Sequence, residues 1–521
     1  MGTKINSNYS DLLTFTRASK GHALRPVSYG DELVTNGDFS TDSDWTKQSG
    51  WSISGGVAVS NNASGYNDIR QSLSLTASKL YRIDFSVSSY TSGAVKPYLG
   101  NSGAGDADVF SGNLGDAKAA SAAGNYYGYF VFPAGQHEQI LLRAQNGFVG
   151  SIDNISVKEV TFDQPDGTLT LFEHPDNVPR VEWDANRNRL GLLVEESRTN
   201  LITRSEDFSN SSWNSNKQGI SVSTDVAVAP DGTLTADKLN ETATTDTHRV
   251  GFNISSVGDA VFSFFAKAGE RTLVRTWAFV GGNTAGAAFN LSTGTIVRER
   301  SNGAATIQYV GNGWYRCSCT VDAASANSVV VGPVTEAVND NSSYAGEAGK
   351  GIYIWGAQLE EASFPTSYIK SNSGSTTTRS ADVASIPVAD FGYNQSAGTV
   401  VVEATTSNAE NVSTSRRPYT LTGVNSQIGA TFVYDNSVFD LANVAASDGK
   451  HATAFKNGSM AISNNGGSPR TSSATLDGDY SSADIIIGGY LSGTNMLNGH
   501  IKKLMYIPRR VTNAQLISLT E

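Results

Sequence analysis

The sequence predicts an all-β protein built of tandem antiparallel β-sandwich modules of the jelly-roll type, with an extended N-terminal arm. Charged residues make up only 17% of the 521 residues and glycine occurs 52 times, which favours short strands and tight turns over long helices. Apolar and polar residues alternate in several stretches, as they do on strands with one buried face. A chain of this length is too long for one core, so we expect about three domains.

The first predicted module covers residues 31–160 and follows an N-terminal arm, residues 1–30, that we expect to anchor the protein. Its clearest strand is at residues 81–87. The odd-numbered side chains of this strand are aromatic or aliphatic and should face a core, whereas the even-numbered ones are polar and should face solvent.

The second predicted module, residues 205–370, looks like a diverged copy of the first. The segments that match are residues 38–40 and 207–209, Trp45 and Trp213, strands 81–87 and 260–266, and closing strands 151–157 and 351–359. Matching first and last strands are typical of a jelly-roll sandwich, because its terminal strands lie near each other. Since Trp45 and Trp213 recur, we expect both to pack inside their modules.

Two connecting segments separate the modules. Residues 161–204 are predicted to be a linker and oligomerisation segment, in which the apolar stretch Leu190–Val194 is our candidate for a contact with a neighbouring subunit. Residues 371–379 are rich in serine and threonine, a composition that favours a linker.

The third predicted module covers residues 380–521. Strand patterns occur at residues 398–404 and 484–488, and Lys456–Ser459 has the composition of a tight turn. Thr512 and Gln515 have the spacing of a capping box, which predicts one short helix near the end of the chain.

Cys317 and Cys319 lie two residues apart on a predicted strand, so both thiols should point to one face. Their Cα atoms would be about 6.6 Å apart at about 3.3 Å per residue. A disulfide needs Cβ atoms about 3.8 Å apart, so we expect two small buried side chains rather than a bridge or a metal site.

The charge of the chain excludes some partners. A net charge of −11 argues against nucleic acid, because phosphate binding needs clustered lysine and arginine. No apolar run approaches the roughly 18 residues of a membrane span, so we expect no membrane insertion. Residues 1–6 lead directly into polar sequence, so we also expect no secretory leader.

Three separated segments resemble, as a set, a segment common in minor tail and head-spike proteins of tailed phages. They are Thr14-Phe15-Thr16-Arg17-Ala18-Ser19, Asn177-Val178-Pro179-Arg180 and Gly191-Leu192-Leu193-Val194-Glu195-Glu196-Ser197-Arg198-Thr199-Asn200-Leu201. In that family the pieces usually lie close together along the chain. Here the first module is expected to be inserted between them.

The modules carry two further resemblances. The first module is similar to jelly-roll carbohydrate-binding modules that begin with Asn-Gly-Asp-Phe and a nearby tryptophan, here Asn36–Phe39 and Trp45. The third module resembles concanavalin A-like/laminin-G-like domains of phage tail proteins. The segments that carry this likeness are residues 451–458, 497–504 and 506–510, with the helix around Leu516.

Motifs of catalysis are absent from the sequence. The paired-carboxylate pattern Glu-x-Asp-x-x-Glu of sandwich glycosidases does not occur, nor do Gly-x-Ser-x-Gly, His-Glu-x-x-His or a P-loop. We therefore expect no enzyme activity and no cofactor. The turn at residues 477–479 has carboxylates suited to Ca²⁺, although turn formation alone also explains its Asp and Gly residues.

Sugar recognition on β-sandwiches uses exposed aromatic rings flanked by polar side chains. The candidates for glycan binding are Trp45, Trp51, Tyr66, Tyr126, Arg143, Trp277 and Trp314. For each aromatic residue, the alternative is a contact in a core or between subunits, because large aromatic side chains are mostly buried.

The resemblance and the candidate residues together predict a non-catalytic spike or fibre subunit at a virion surface, assembled in the host cytoplasm. Its expected partners are other virion proteins, further copies of itself and host-surface polysaccharide. A trimer is favoured by analogy with phage fibres, since several weak sites gain from acting together. Two alternatives remain open: a polysaccharide depolymerase and a purely structural decoration protein that binds no glycan.

Overall fold

The computed structural model describes residues 13–521 except 64, 66, 104, 109–110, 113–118, 255–257, 281–285, 300–303, 322–325, 336–342, 407–417, 424–425, 430–432, 436–437, 442–447, 474–478, 481–482, 491 and 494–495. Strands predominate in these residues and form antiparallel ladders, so the all-β sandwich class is confirmed.

The secondary-structure elements follow in chain order. Up to residue 167 they are β1 (Thr14–Thr16), β2 (Gly21–Tyr29), β3 (Thr46–Lys47), β4 (Trp51–Ser54), β5 (Val57–Ala63), β6 (Asp68–Ser72), β7 (Leu80–Leu99), β8 (Ser111–Gly112), β9 (Gly124–Val131) and β10 (Gln139–Phe162). From residue 168 to 379 they are β11 (Thr168–His174), β12 (Val181–Trp183), β13 (Arg189–Val194), β14 (Arg198–Asn200), a 3₁₀ helix (Ser211–Trp213), β15 (Ile220–Ala227), β16 (Ala236–Glu241), β17 (Thr245–Asp246), β18 (Val250–Asn253), β19 (Ala260–Ala268), β20 (Leu273–Val280), β21 (Gly286–Asn290), β22 (Thr295–Glu299), β23 (Ala305–Gly311), β24 (Trp314–Val321), β25 (Ala326–Val334), β26 (Tyr344–Ala345), β27 (Gly351–Glu360) and β28 (Thr377–Arg379). Beyond it they are β29 (Val383–Pro387), a 3₁₀ helix (Val388–Asp390), β30 (Ala397–Thr406), β31 (Tyr419–Gly423), β32 (Ser426–Gly429), β33 (Val433–Asp435), β34 (Val438–Leu441), β35 (Gly449–Lys456), β36 (Met460–Asn464), β37 (Arg470–Ser472), β38 (Asp484–Ile487), β39 (Gly499–Ile507) and the helix α1 (Asn513–Thr520).

The chain divides into two compact units, which are described separately. Residues 26–168 form one unit, here called the inserted unit, and residues 1–25 with 169–521 form the other, the main unit. The inserted unit is thus continuous in sequence and interrupts the main unit, as the separated sequence motifs predicted. Its ends meet, because the Asp163 amide donates to the Pro26 carbonyl at 3.0 Å.

In the inserted unit, two long strands, β7 and β10, pair with each other over most of their length. Their register shifts at several points between residues 145 and 156, where β-bulges bend the strands. Gly93 lies opposite one bulge with φ +76°, and a Cβ there would meet the Phe148 backbone at 2.5 Å. The odd-numbered residues 81–87 are buried in the core of the unit, which confirms the predicted alternation.

The main unit contains a sandwich of a six-stranded sheet, in the order β15-β16-β27-β19-β24-β23, and a five-stranded sheet, β18-β25-β20-β21-β22. Its closing strand β27 pairs with β19, just as β10 pairs with the matching part of β7 in the inserted unit. Cys317 and Cys319 are buried between these sheets as free thiols, which confirms their predicted packing role.

A second sandwich in the main unit consists of two seven-stranded sheets, β1-β29-β38-β31-β32-β33-β34 and β12-β13-β39-β30-β35-β36-β37. Strand β1 is an edge strand of the first sheet, so the described part of the predicted arm is built into the fold. Leu193 and Val194 of β13 are buried beside β39. Part of the stretch Leu190–Val194 therefore packs into its own chain, and its contact with a neighbouring subunit stays a prediction.

The segment 371–379 is also part of the fold, not a free linker. Strand β28 pairs with β14, and Ser371 is buried, with its hydroxyl donating to the Ser375 carbonyl at 2.7 Å. The serine and threonine side chains of this segment favour a linker by composition. Here they satisfy backbone groups instead.

Two local predictions for the end of the chain are confirmed. The Ser459 amide donates to the Lys456 carbonyl at 2.8 Å, closing the turn between β35 and β36. The Thr512 side chain accepts from the Gln515 amide, and the Gln515 side chain accepts from the Thr512 amide, so α1 begins with the predicted capping box. None of the helices in the described part of the chain is long and apolar enough to cross a membrane.

Candidate functional site

The residues that carry the phage-protein resemblance meet in the main unit at a buried cluster of charges, here called the arginine hub: Arg17, Arg180, Glu195, Arg379 and Asp382. Their side chains are at most 4% exposed. Arg17 Nη1 lies 3.1 Å from Asp382 Oδ1, and Arg180 Nη2 lies 2.8 Å from Glu195 Oε2 and also binds Asp382. Arg379 contacts both carboxylates, at 3.4 and 3.7 Å.

The hub joins the separated motifs through the backbone as well. The Arg17 amide donates to Asn177 Oδ1 at 3.0 Å, and Arg17 Nη1 donates to the Val178 carbonyl at 3.3 Å. Residues 14–19 and 177–180 are therefore adjacent in space, although the inserted unit separates them in sequence. Arg379 and Asp382 complete the cluster and were not singled out from the sequence, because Arg379 is the last residue of the predicted linker 371–379 and Asp382 lies just after it.

Burial and pairing act in opposite directions on the hub. Burial alone would raise the pKa of Glu195, but Arg379, Arg180 and hydrogen bonds from Ser367 outweigh it, and that pKa is lowered. Burial, together with the charge of Arg180, lowers the pKa of Arg17 to about 10. Buried charges that are paired with one another in this way hold a structure in one arrangement, and they leave no surface for a ligand.

A second cluster lies on the solvent-facing side of the inserted unit and is here called the tyrosine–arginine face: Tyr29, Arg82, Asp84, Tyr127 and Tyr129. It is built by β2, β7 and β9, and β7 and β9 also supply side chains to the core of the unit on their other side. Arg82 and Asp84 are the even-numbered residues that the alternation of β7 placed toward solvent. Tyr129 and Tyr127 lie directly opposite them on β9.

Arg82 is the centre of this face. Its Nε donates to both Asp84 oxygens, at 2.8 and 3.0 Å, and its Nη1 donates to the hydroxyls of Tyr129 and Tyr29 at 3.2 and 3.3 Å. The guanidinium carbon also lies 4.8 Å from the ring centre of Tyr127. Burial alone would lower the pKa of Arg82. The hydrogen bonds to Asp84 and its negative charge outweigh this effect, so the pKa of Arg82 is raised.

The tyrosine–arginine face offers the groups that hydroxylated ligands need. Tyr29 is 43% exposed and the Asp84 side chain is 40% exposed, so a ring and a carboxylate are open to solvent together. Burial raises the pKa of Tyr129 well above its usual value, so its hydroxyl stays neutral. The face can therefore present an aromatic surface, carboxylate acceptors and hydroxyl donors within one patch.

The tryptophans predicted from the sequence lie in cores. Trp45 and Trp51 are each 6% exposed in the inserted unit. Trp45 Nε1 donates to the Asn36 carbonyl at 2.9 Å, and Trp213 Nε1 in the main unit donates to the Arg204 carbonyl at 2.8 Å. In both modules the indole thus binds the carbonyl nine residues earlier, which confirms the packing role expected for this pair.

Trp277 and Trp314 in the main unit are 2% and 1% exposed. Trp314 Nε1 donates to the Val228 carbonyl at 3.0 Å, and Trp277 lies under the guanidinium of Arg275, whose carbon is 4.8 Å from the ring centre. A covered ring has no face open to a sugar. The structure therefore places these tryptophans, with Trp45 and Trp51, in packing positions.

The remaining candidates lie in the inserted unit. Tyr126 is half-buried, stacks on Phe85 with ring centres 5.5 Å apart, and donates to the Ala122 carbonyl at 2.9 Å. Arg143 is buried, binds Asp106 and Asp68, and lies 4.5 Å from the ring centre of Tyr98. Tyr66 lies outside the described residues. The structure does not bring these candidates together into one site.

Metal binding has no site among the described residues, since no group of three or more His, Cys, Asp or Glu side chains is suitably placed there. Residues 477 and 478 of the Asp-rich turn lie outside the described part of the chain.

Sequence comparisons return no protein-family model and no curated protein that matches this chain. Among solved structures, the chain is similar to the N-terminal CBM22-1-CBM22-2 tandem domain of Xyn10C from Paenibacillus barcinonensis, at 11% sequence identity and a TM-score of 0.21. That alignment covers 64% of this chain and 97% of the tandem domain. At these values the likeness carries no conclusion about what this chain binds.

Proposed function

We propose that this protein is a non-catalytic structural subunit of a virion spike or fibre, and that it attaches to host-surface polysaccharide through the tyrosine–arginine face. The observation that carries the proposal is the joint exposure of Tyr29 and Asp84 around Arg82. Sugar rings stack on aromatic side chains, and their hydroxyls pair with carboxylates and with neutral donors.

The structural role rests on the arginine hub and on the phage-protein resemblance. The three segments that carry the resemblance converge on one buried cluster, so they act as a single framework that tolerates a large insertion between its parts. In this proposal the framework belongs to the virion, as a homo-oligomer beside other virion proteins, and the inserted unit meets the host.

The composition of the face supports the proposal of binding without catalysis. Hydrolysis of a glycosidic bond generally uses two carboxyl groups on either side of the bond. The tyrosine–arginine face has one carboxylate, Asp84, and Arg82 holds it as an ion pair. A carboxylate held in this way can still accept hydrogen bonds from sugar hydroxyls.

The test uses the full-length protein with host capsule and surface polysaccharide fractions, and measures bound protein and released sugar in the same assay. Tyr29→Ala should weaken binding about fivefold, since one aromatic contact is worth roughly 1 kcal/mol. Tyr309→Ala is the matched control, because Tyr309 is 42% exposed but lies in the main unit. It should bind as the unmodified protein does.

Three other results of this assay would contradict the proposed function. Equal losses in both variants would show that the tyrosine–arginine face is not the binding surface. Release of sugar would replace the proposal with a depolymerase. Complete absence of binding by the unmodified protein would leave a purely structural decoration protein.

A further inference from the structure

The inserted unit accounts for most of the net negative charge of the chain. Residues 26–168 contain eight Lys or Arg and fifteen Asp or Glu, a net charge of −7 out of −11 for the whole protein. A surface with this balance repels polyanions at long range, and the repulsion weakens as salt screens it. The unit is therefore unsuited to glycans rich in carboxylate, sulfate or phosphate.

Local pairing strengthens this conclusion. Each Lys or Arg that the structure describes in the inserted unit has a carboxylate of the same unit within 4 Å. The pairs are Lys47 with Asp42, Arg70 with Asp68, Lys79 with Glu159, Arg82 with Asp84, Lys96 with Asp108, Arg143 with Asp68 and Asp106, and Lys158 with Glu32. An anionic sugar would have to displace one of these carboxylates to reach a cation.

The tyrosine–arginine face shows what that displacement requires. Asp84 receives hydrogen bonds from both Nε and Nη2 of Arg82, a bidentate arrangement that is stronger than a single bond. Lys158 lies directly opposite Arg82 on β10, and its Nζ is 3.9 Å from Glu32. Both cations beside the face are thus already compensated, whereas the outer side of the Asp84 carboxylate remains open to solvent.

We infer that the ligand of the tyrosine–arginine face is a neutral glycan whose adjacent hydroxyls bind Asp84 and the tyrosine hydroxyls. This inference rests on the proposed function and adds the chemical class of the sugar. A pair of neighbouring hydroxyls matches the two oxygens of one carboxylate, and the uncharged ring surface lies against Tyr29. Recognition of this kind depends little on ionic strength, because no net charge is neutralised.

The experiment compares two immobilised series with the full-length protein: unsubstituted hexose polymers, and uronic acid or sulfated polymers of similar length. Binding is measured at low and at high salt. The expected result is binding to at least one neutral polymer, with less than a twofold change between the salt conditions. Preferential binding to anionic polymers that falls at least tenfold in high salt would overturn the inference while leaving the proposed attachment role intact.

A pair of variants separates local recognition from total charge. Asp84→Asn should weaken binding to neutral polymers at least tenfold and should make binding to anionic polymers detectable at low salt, since Arg82 loses its partner. Asp166→Asn removes the same charge at an exposed position of the same unit. It should change neither the binding to neutral polymers nor the binding to anionic polymers. Equal behaviour of the two variants would contradict the inference. If no polymer of either series binds the unmodified protein, the proposed function itself fails.

Discussion

The arginine hub and the tyrosine–arginine face use the same chemistry in opposite surroundings. Both join arginine to carboxylate, but the hub side chains are at most 4% exposed, whereas Arg82 and Asp84 are 20% and 40% exposed. An exposed pair contributes little to stability, and a buried pair that loses one partner leaves an uncompensated charge. The difference in solvation makes the hub a structural device and leaves the face available for a ligand.

The two clusters also differ in how far apart their partners lie in sequence. Arg17 and Asp382 are separated by 365 residues, whereas Arg82 and Asp84 are separated by two. The hub can form only when the whole main unit has folded, while the face depends on one strand and its neighbours. Variants in the two clusters should therefore have different consequences.

The largest effect is expected for Asp382→Asn, which leaves three buried arginines with one carboxylate. Loss of one partner of a buried ion pair typically costs about 3–5 kcal/mol. The free energy of unfolding in denaturant measures this change. The same substitution at the exposed Asp84 is the control and should cost less than about 1 kcal/mol. Similar costs at the two sites would refute the distinction drawn between them.

A smaller effect is expected from acid. The pKa of Glu195 is lower in the folded protein than its ordinary value of 4.5, so its ion pairs contribute their full stability above that value. This stability is lost as the pH falls below about 4.5 toward the folded-state pKa. Melting temperatures measured across this range should fall less steeply in Glu195→Gln than in the unmodified protein. Identical slopes would mean that Glu195 does not make this contribution.

The smallest effect is expected for Glu159→Gln in the inserted unit. Glu159 pairs with Lys79 at 3.1 Å, and the two side chains are 32% and 54% exposed. The free energy of unfolding should change by less than about 0.5 kcal/mol, and high salt should remove even that change. A loss comparable to that of Asp382→Asn would show that exposure does not determine the value of these pairs.

Local features of the fold could be predicted because their causes lie within a few residues. The alternation along β7, the turn at Lys456–Ser459 and the capping box of Thr512 and Gln515 each follow from short-range spacing. The repeated tryptophan was also predictable, since Trp45 and Trp213 occupy the same position in both modules. Their burial follows from that shared packing role.

The sequence by itself determined the fold class, the insertion of a module between residues 14–19 and 177–180, and the faces of individual strands. Only the tertiary structure decided which charges are buried and which aromatic rings are exposed. Neither the pairing of Arg17 with Asp382 nor the burial of Trp277 can be inferred from neighbouring residues, because each depends on strands from distant parts of the chain. The exposure of a side chain depends on which sheets pack over it. For this reason Tyr29 is exposed to solvent, whereas the candidate tryptophans are buried.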